Sequence, residues 1–74
     1  MKVEVRLFAH FRQGRQKNQI IELEEGKDIS YVLDLLNINE EEASIVLLNG
    51  MDGPLNRQLK DGDVLALFPP VGGG

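Results

Sequence analysis

The sequence predicts an α+β fold, a mixed sheet of four to five strands packed on one main helix. Three observations predict it. Apolar and polar residues alternate at the amino end, apolar residues recur at helical spacing in the middle, and two compact β-branched and leucine-rich runs follow.

The first strand is expected from about Lys2 to Ala9, where Val3, Val5 and Leu7 alternate with Lys2, Glu4 and Arg6. Phe8 then falls on the charged face. Residues 10–17, HFRQGRQK, are polar around Gly14, and Asn18 to Glu24 alternates again, so the pair reads as a hairpin with a long loop. Ile21 and Leu23 should point inward. Asp28 stands at an N-cap position before Ile29, Val32, Leu33 and Leu36, which share one helical face. A further short turn is expected over Asn37 to Ala43, with the Asn39 side chain accepting from amides near Glu41 and Glu42.

Ser44 to Leu48 reads as a buried strand ending at Asn49-Gly50, followed by a loop, Met51-Asp52-Gly53-Pro54, and a short edge segment over Leu55 to Leu59. Asp61-Gly62 marks a turn, because glycine accepts positive φ without steric cost. The last strand is Val64 to Phe68, ended by Pro69-Pro70, which donate no ladder hydrogen bond. A helix that follows a hairpin buries its stripe by crossing the sheet face, and the later strands must return to that sheet. This is the topology of a β-grasp, or ubiquitin-like, domain. It occupies residues 1–68, with residues 69–74 a flexible carboxyl-terminal arm ending in Gly-Gly.

Seventy-four residues leave room for one domain and no large catalytic cleft. With no cysteine and one histidine, disulfides, thiol nucleophiles and thiolate metal sites are excluded, and no metal site is expected. No apolar run approaches a membrane span and the amino end does not read as a signal peptide, so no membrane partner and a cytoplasmic location are expected. The net charge is −4, and it is polar along the chain: Lys2, Arg6, Arg12, Arg15 and Lys17 face only Glu4 in residues 1–20, while the rest is strongly acidic. That distribution argues against nucleic-acid binding and for a protein partner with a basic docking surface.

Residues 59–74, LKDGDVLALFPPVGGG, resemble the carboxyl end of the small subunit of molybdopterin synthase and its relatives, including the thiamine-pathway sulfur carrier. VRLFAHFR, DISYVLDLL and IVLLNG stand where that family has its first strand, helix and third strand, so the resemblance covers nearly the whole chain. A third glycine, Gly72, departs from the usual pattern and leaves the terminal pair intact. The resemblance implies a carrier, not an enzyme. Gly74 would be adenylated by a separate E1-like enzyme that uses ATP, then converted to a thiocarboxylate with sulfur from a donor protein. It would finally enter the active site of a larger catalytic synthase subunit. No bound cofactor is implied, and no catalytic residue.

The chemistry suits such an arm. An acyl-adenylate carries a good leaving group, so a sulfur nucleophile can displace AMP at the chain end. Without Cβ atoms, Gly73 and Gly74 fit a channel only as wide as a backbone. The six residues Pro69, Pro70, Val71, Gly72, Gly73 and Gly74 span up to about 20 Å when extended. Pro69 and Pro70 stiffen the base of the arm and reduce the entropy lost on docking.

Both faces of the last strand are apolar. With Leu65 and Leu67 assigned to the core, Phe68 faces outward on the side of Phe8, and parallel first and last strands would bring the two rings together as an interface anchor, joined by Met51. Asp61 and Asp63 are read as turn caps, His10 as a loop-edge residue, and Arg57 and Lys60 as solvated. Sulfur carriage for molybdopterin is the leading function. The alternatives are sulfur carriage for thiamine thiazole or another metabolite, a protein modifier joined through Gly74 to lysines, and an interaction domain with an inert tail.

Overall fold

Alternation of inward and outward residues builds the sheet, and the computed structural model describes residues 1–70 of the chain. Five strands run β1 (Lys2–Leu7), β2 (Asn18–Glu22), β3 (Ile45–Leu48), β4 (Met51–Asp52) and β5 (Val64–Phe68), in the spatial order β2-β1-β5-β3-β4. β1 and β5 are parallel neighbours at the centre, and the other pairs are antiparallel. The one α-helix of the described residues, α1 (Ile29–Leu35), crosses one face, which makes this the expected β-grasp fold.

Helix α1 starts where Asp28 accepts a hydrogen bond from the Tyr31 amide at 3.0 Å. It stops in a Schellman motif: Asn37 takes φ +59°, its amide donates to the Asp34 carbonyl, and the Ile38 amide donates to the Leu33 carbonyl at 2.9 Å. Ile38 is thereby folded into the core. Ile29, Val32 and Leu33 of α1 pack on Val3, Val5, Leu7, Val46, Leu65 and Leu67 of the sheet, closed by Phe11, Leu23 and Leu59. Ile21 and Leu36 sit partly buried at its margin. A 3₁₀ turn over Glu40–Glu42 begins at Asn39, whose side-chain oxygen accepts from the Glu41 amide.

Several local expectations are corrected. β1 ends at Leu7, because a 3₁₀ turn over Ala9–Arg12 replaces the end of the strand and the start of the polar loop, and carries Phe11 into the core. β2 ends at Glu22, although the Leu23 amide still reaches the Met1 carbonyl and its side chain stays buried. In the strand expected to be buried, Val46 is buried but Ile45 is 39% exposed, because alternate residues face the outside of the sheet. Residues 51–52 form a strand, not a loop. Asn49 and Gly50 both take positive φ, +52° and +84°, the geometry of a two-residue hairpin turn. Leu55 to Leu59 makes no strand beyond one bridge between Asp28 and Gln58, and Leu59 is held inside.

Candidate functional site

No element of the described residues covers the sheet face opposite α1. On β5 the alternation leaves Leu65 and Leu67 in the core and turns Val64, Ala66 and Phe68 outward, the assignment expected from the sequence. The Phe8 amide donates to the Leu67 carbonyl, which extends the parallel pairing of β1 and β5 by one residue and sets Phe8 beside Phe68. Their rings stack with centroids 4.2 Å apart and planes 9° from parallel. Each ring shields the other, so both are half-buried. The Arg12 guanidinium lies over the other side of the Phe8 ring, 5.1 Å from its centroid, while its Nε donates to the Leu7 carbonyl at 2.7 Å.

Next to this stack, strand register places Ile45 opposite Phe68 and Leu47 opposite Ala66. Cross-strand partners share a face, so Ile45 and Leu47 extend the apolar surface around the aromatic pair. Sequence reasoning missed both by treating the third strand as wholly buried. The available signal was alternation within SIVLL, in register with the outward residues of β5. Met51 is not brought to this surface. It pairs with Leu48, which pairs with core-facing Leu65, so Met51 stands on the helix side near the other end of the sheet, 69% exposed.

The Ser44 amide donates to the Phe68 carbonyl at 2.9 Å, so β5 is held to its last residue and the chain leaves the sheet beside the aromatic pair. Pro69 is buried and Pro70 exposed, so Pro69 belongs with the folded body and the described chain emerges at Pro70. Val71, Gly72, Gly73 and Gly74, to which the arm and the reactive carboxylate were assigned, lie outside the described residues.

The acidic turn before β5 is structural. Asp61 accepts from the Lys2 amide at 2.7 Å, and Asp63 accepts from the Lys60 amide and from the Asn49 side chain. Asn49 in turn accepts from the Val64 amide, which locks the β3–β4 turn to the start of β5. Arg57, expected to be solvated, instead donates to four backbone carbonyls, those of Val46, Met51, Gly53 and Pro54. Lys60 is exposed, and His10 is exposed with its ring set edge-on to Phe11. Among the described residues no cluster of His, Cys, Asp and Glu is placed to hold a metal ion. A depression of about 620 Å³ is open and acidic and follows the carboxyl end of α1 from Asp34 to Glu42. No helix of the described residues is long and apolar enough to cross a membrane. The arrangement is an apolar, aromatic surface at the point where the described chain leaves the sheet.

Known proteins share this design. The chain is 31% identical to a Pyrococcus furiosus protein described as molybdopterin converting factor, subunit 1, with a TM-score of 0.75 over 96% of this chain and 99% of that one. It is 34% identical, with a TM-score of 0.66 and full coverage of both, to a chain in the complex of subunits 1 and 2 of molybdopterin-converting factor from Helicobacter pylori. Small archaeal modifier protein 1 of Haloferax volcanii is 26% identical, with a TM-score of 0.78 over 95% of this chain and 98% of that one. Comparison with curated protein sequences gives no match. Residues 5–74 match the ThiS family, and the chain therefore belongs to that family of ubiquitin-like sulfur carriers.

Proposed function

We propose that this chain carries sulfur on the carboxylate of Gly74 and supplies it as the small, non-catalytic subunit of molybdopterin synthase, in the cytoplasm. In the first step the terminal carboxylate attacks the α-phosphorus of ATP in a separate E1-like enzyme, forming the acyl-adenylate and releasing pyrophosphate. A persulfide on a sulfur donor protein then adds to the acyl carbon, AMP leaves with the bonding pair, and a second thiol of the donor attacks the acyl disulfide so formed, making a donor disulfide and releasing the thiocarboxylate. The resulting thiocarboxylate enters the larger catalytic subunit and gives up its sulfur there.

The observation that carries this reading is the place where the described chain leaves the fold: Pro69 and Pro70 follow directly from Phe68, whose ring is stacked on that of Phe8. A partner that covers the stack therefore holds the base of the arm and directs its glycines inward. Support for the molybdopterin role comes from similarity to a chain of a two-subunit molybdopterin-converting factor complex. Similarity to a small archaeal modifier protein favours a second reading, conjugation of Gly74 to lysines of other proteins. Membership of the ThiS family keeps thiamine thiazole as a third destination.

Complementation separates them. Expressed in bacteria lacking their own molybdopterin synthase small subunit, the chain should restore molybdoenzyme activity. Rescue confined to a thiamine-carrier deletion would reassign the pathway, and lysine conjugates dependent on Gly74 would favour the modifier.

A further inference from the structure

The turn that follows β1 is held by more than its own hydrogen bonds. Ala9, directly after Phe8, takes φ +52°, a conformation that L residues other than glycine rarely adopt. The 3₁₀ turn it opens has no side-chain cap, and its internal bonds, Phe11 amide to Phe8 carbonyl and Gln13 amide to His10 carbonyl, are 3.2 and 3.1 Å long. Two anchors oppose its release. Phe11 is buried in the core at 2% exposure. Arg15, half-buried, donates from Nε to the Leu36 carbonyl at 3.0 Å, and from its two terminal nitrogens to the Asn37 and Phe11 carbonyls at 3.2 Å each.

Leu36 and Asn37 close α1, where the carbonyls lack helical partners and carry the negative end of the helix dipole. A guanidinium satisfies three carbonyls in one plane, which an ammonium on a flexible stem does not reproduce. Arg15 thus joins the helix end to the backbone of the turn. From that turn Arg12 reaches back over the Phe8 ring.

We infer that Arg15 is a positioning residue for the docking face: it latches the Ala9–Arg12 turn onto the carboxyl end of α1, and so holds Phe8 stacked on Phe68 before a partner arrives. This rests on the reading of the stack as the docking surface. Arg15 acts through Phe8 and Arg12, and each of its three side-chain nitrogens donates to a backbone carbonyl of the fold. Its contribution to binding is therefore pre-organisation, the ordering cost that the complex no longer bears.

The test compares wild type with Arg15→Gln and Arg15→Lys in the full chain. With three phenylalanines, the ring proton resonances are few enough to assign, and the nuclear Overhauser contacts between Phe8 and Phe68 report the stack in the free protein. Both variants should weaken those contacts and speed amide exchange over residues 9–16, while methyl shifts of Val3, Leu65 and Leu67 stay in place. Affinity for the larger subunit of the Helicobacter pylori complex should fall about fivefold. Should Arg15→Gln fail to fold, Arg15→Lys, which keeps the charge but loses the planar fork, carries the comparison. Unchanged Phe8–Phe68 contacts in a folded variant would overturn the latch, even with a lowered melting temperature. Wild type that binds the larger subunit no better than Phe68→Ser does would instead count against the docking reading, and leave the latch to the free-chain spectra.

Discussion

Phe8 and Phe68 lie at opposite ends of the sequence, and their rings stack 4.2 Å apart on the outer face of the sheet. The parallel pairing of β1 with β5 makes the contact, and the ladder ends at the same place. A half-buried ring pair stabilises the free chain modestly, because stacking contributes about 0.5 to 1.5 kcal/mol beyond area burial. At the centre of an interface the same rings are worth more. Phe68→Ser should therefore lower stability by about 1 to 2 kcal/mol and weaken binding to the larger subunit by about thirtyfold or more, the scale of an interface hot spot. Calorimetric titration alongside thermal melts checks both numbers.

Arg57 is the opposite case, a charged residue whose value is structural. β4 has two residues, too few to cover the edge of β3, and the Arg57 guanidinium reaches the Val46 carbonyl from that side as well as the Met51 carbonyl of β4 and the Gly53 and Pro54 carbonyls of the loop after it. Arg57→Met keeps the aliphatic stem and leaves four acceptors without this donor. A loss of about 2 to 3 kcal/mol is expected, with faster amide exchange over residues 49–58 and no change in the ability of Gly74 to be adenylated. Denaturant melts and pyrophosphate release with the activating enzyme separate the two effects.

Asn49 joins two turns, donating to Asp63 and accepting from the Val64 amide while its own backbone sits at φ +52°. Asn49→Ala removes both side-chain bonds and puts a less tolerant residue in a left-handed position. Destabilisation of about 2 kcal/mol is expected. Asn49→Gly relieves the backbone and loses only the hydrogen bonds, so it should unfold at a higher denaturant concentration than the alanine variant. The reverse order would show that the side-chain network contributes little.

The core cluster of the described residues runs from Val3 to Leu67. Deleting Gly73 and Gly74 should leave the melting temperature within about 1 °C of wild type, the outcome that the free arm expected from the sequence requires, while sulfur transfer is abolished. Differential scanning calorimetry and a sulfur-transfer assay on the same preparation check this pair of outcomes.

What the sequence shows most clearly is what depends on neighbours along the chain. The stripe from Ile29 to Leu36, the cap at Asp28, the turn at Asp61-Gly62 and the two faces of β5 are all local patterns, and the structure has them at the expected residues. The proximity of Phe8 and Phe68 also followed, because the topology leaves the first and last strands adjacent. Phe11 did not, since one aromatic among HFRQGRQK has no periodic partner and enters the core only because a 3₁₀ turn bends the chain back. The β3–β4 hairpin was legible in Asn49-Gly50, a pair suited to two successive positive φ angles, but a strand of two residues has no alternation of its own. The roles of Arg15 and Arg57 depend on carbonyls that only the folded chain assembles. Met51 does not join the aromatic pair, because register decides which face a side chain joins.

The central claim is chemical and sits on one atom pair, the carboxylate of Gly74. Intact-mass spectrometry of the chain incubated with its activating enzyme, ATP and a sulfur donor tests it most directly. Replacement of one terminal oxygen by sulfur adds about 16 Da, confined by fragmentation to the last residue and absent when Gly73 and Gly74 are deleted. An unchanged mass, with the activating enzyme shown to be competent on another carrier, would contradict the account.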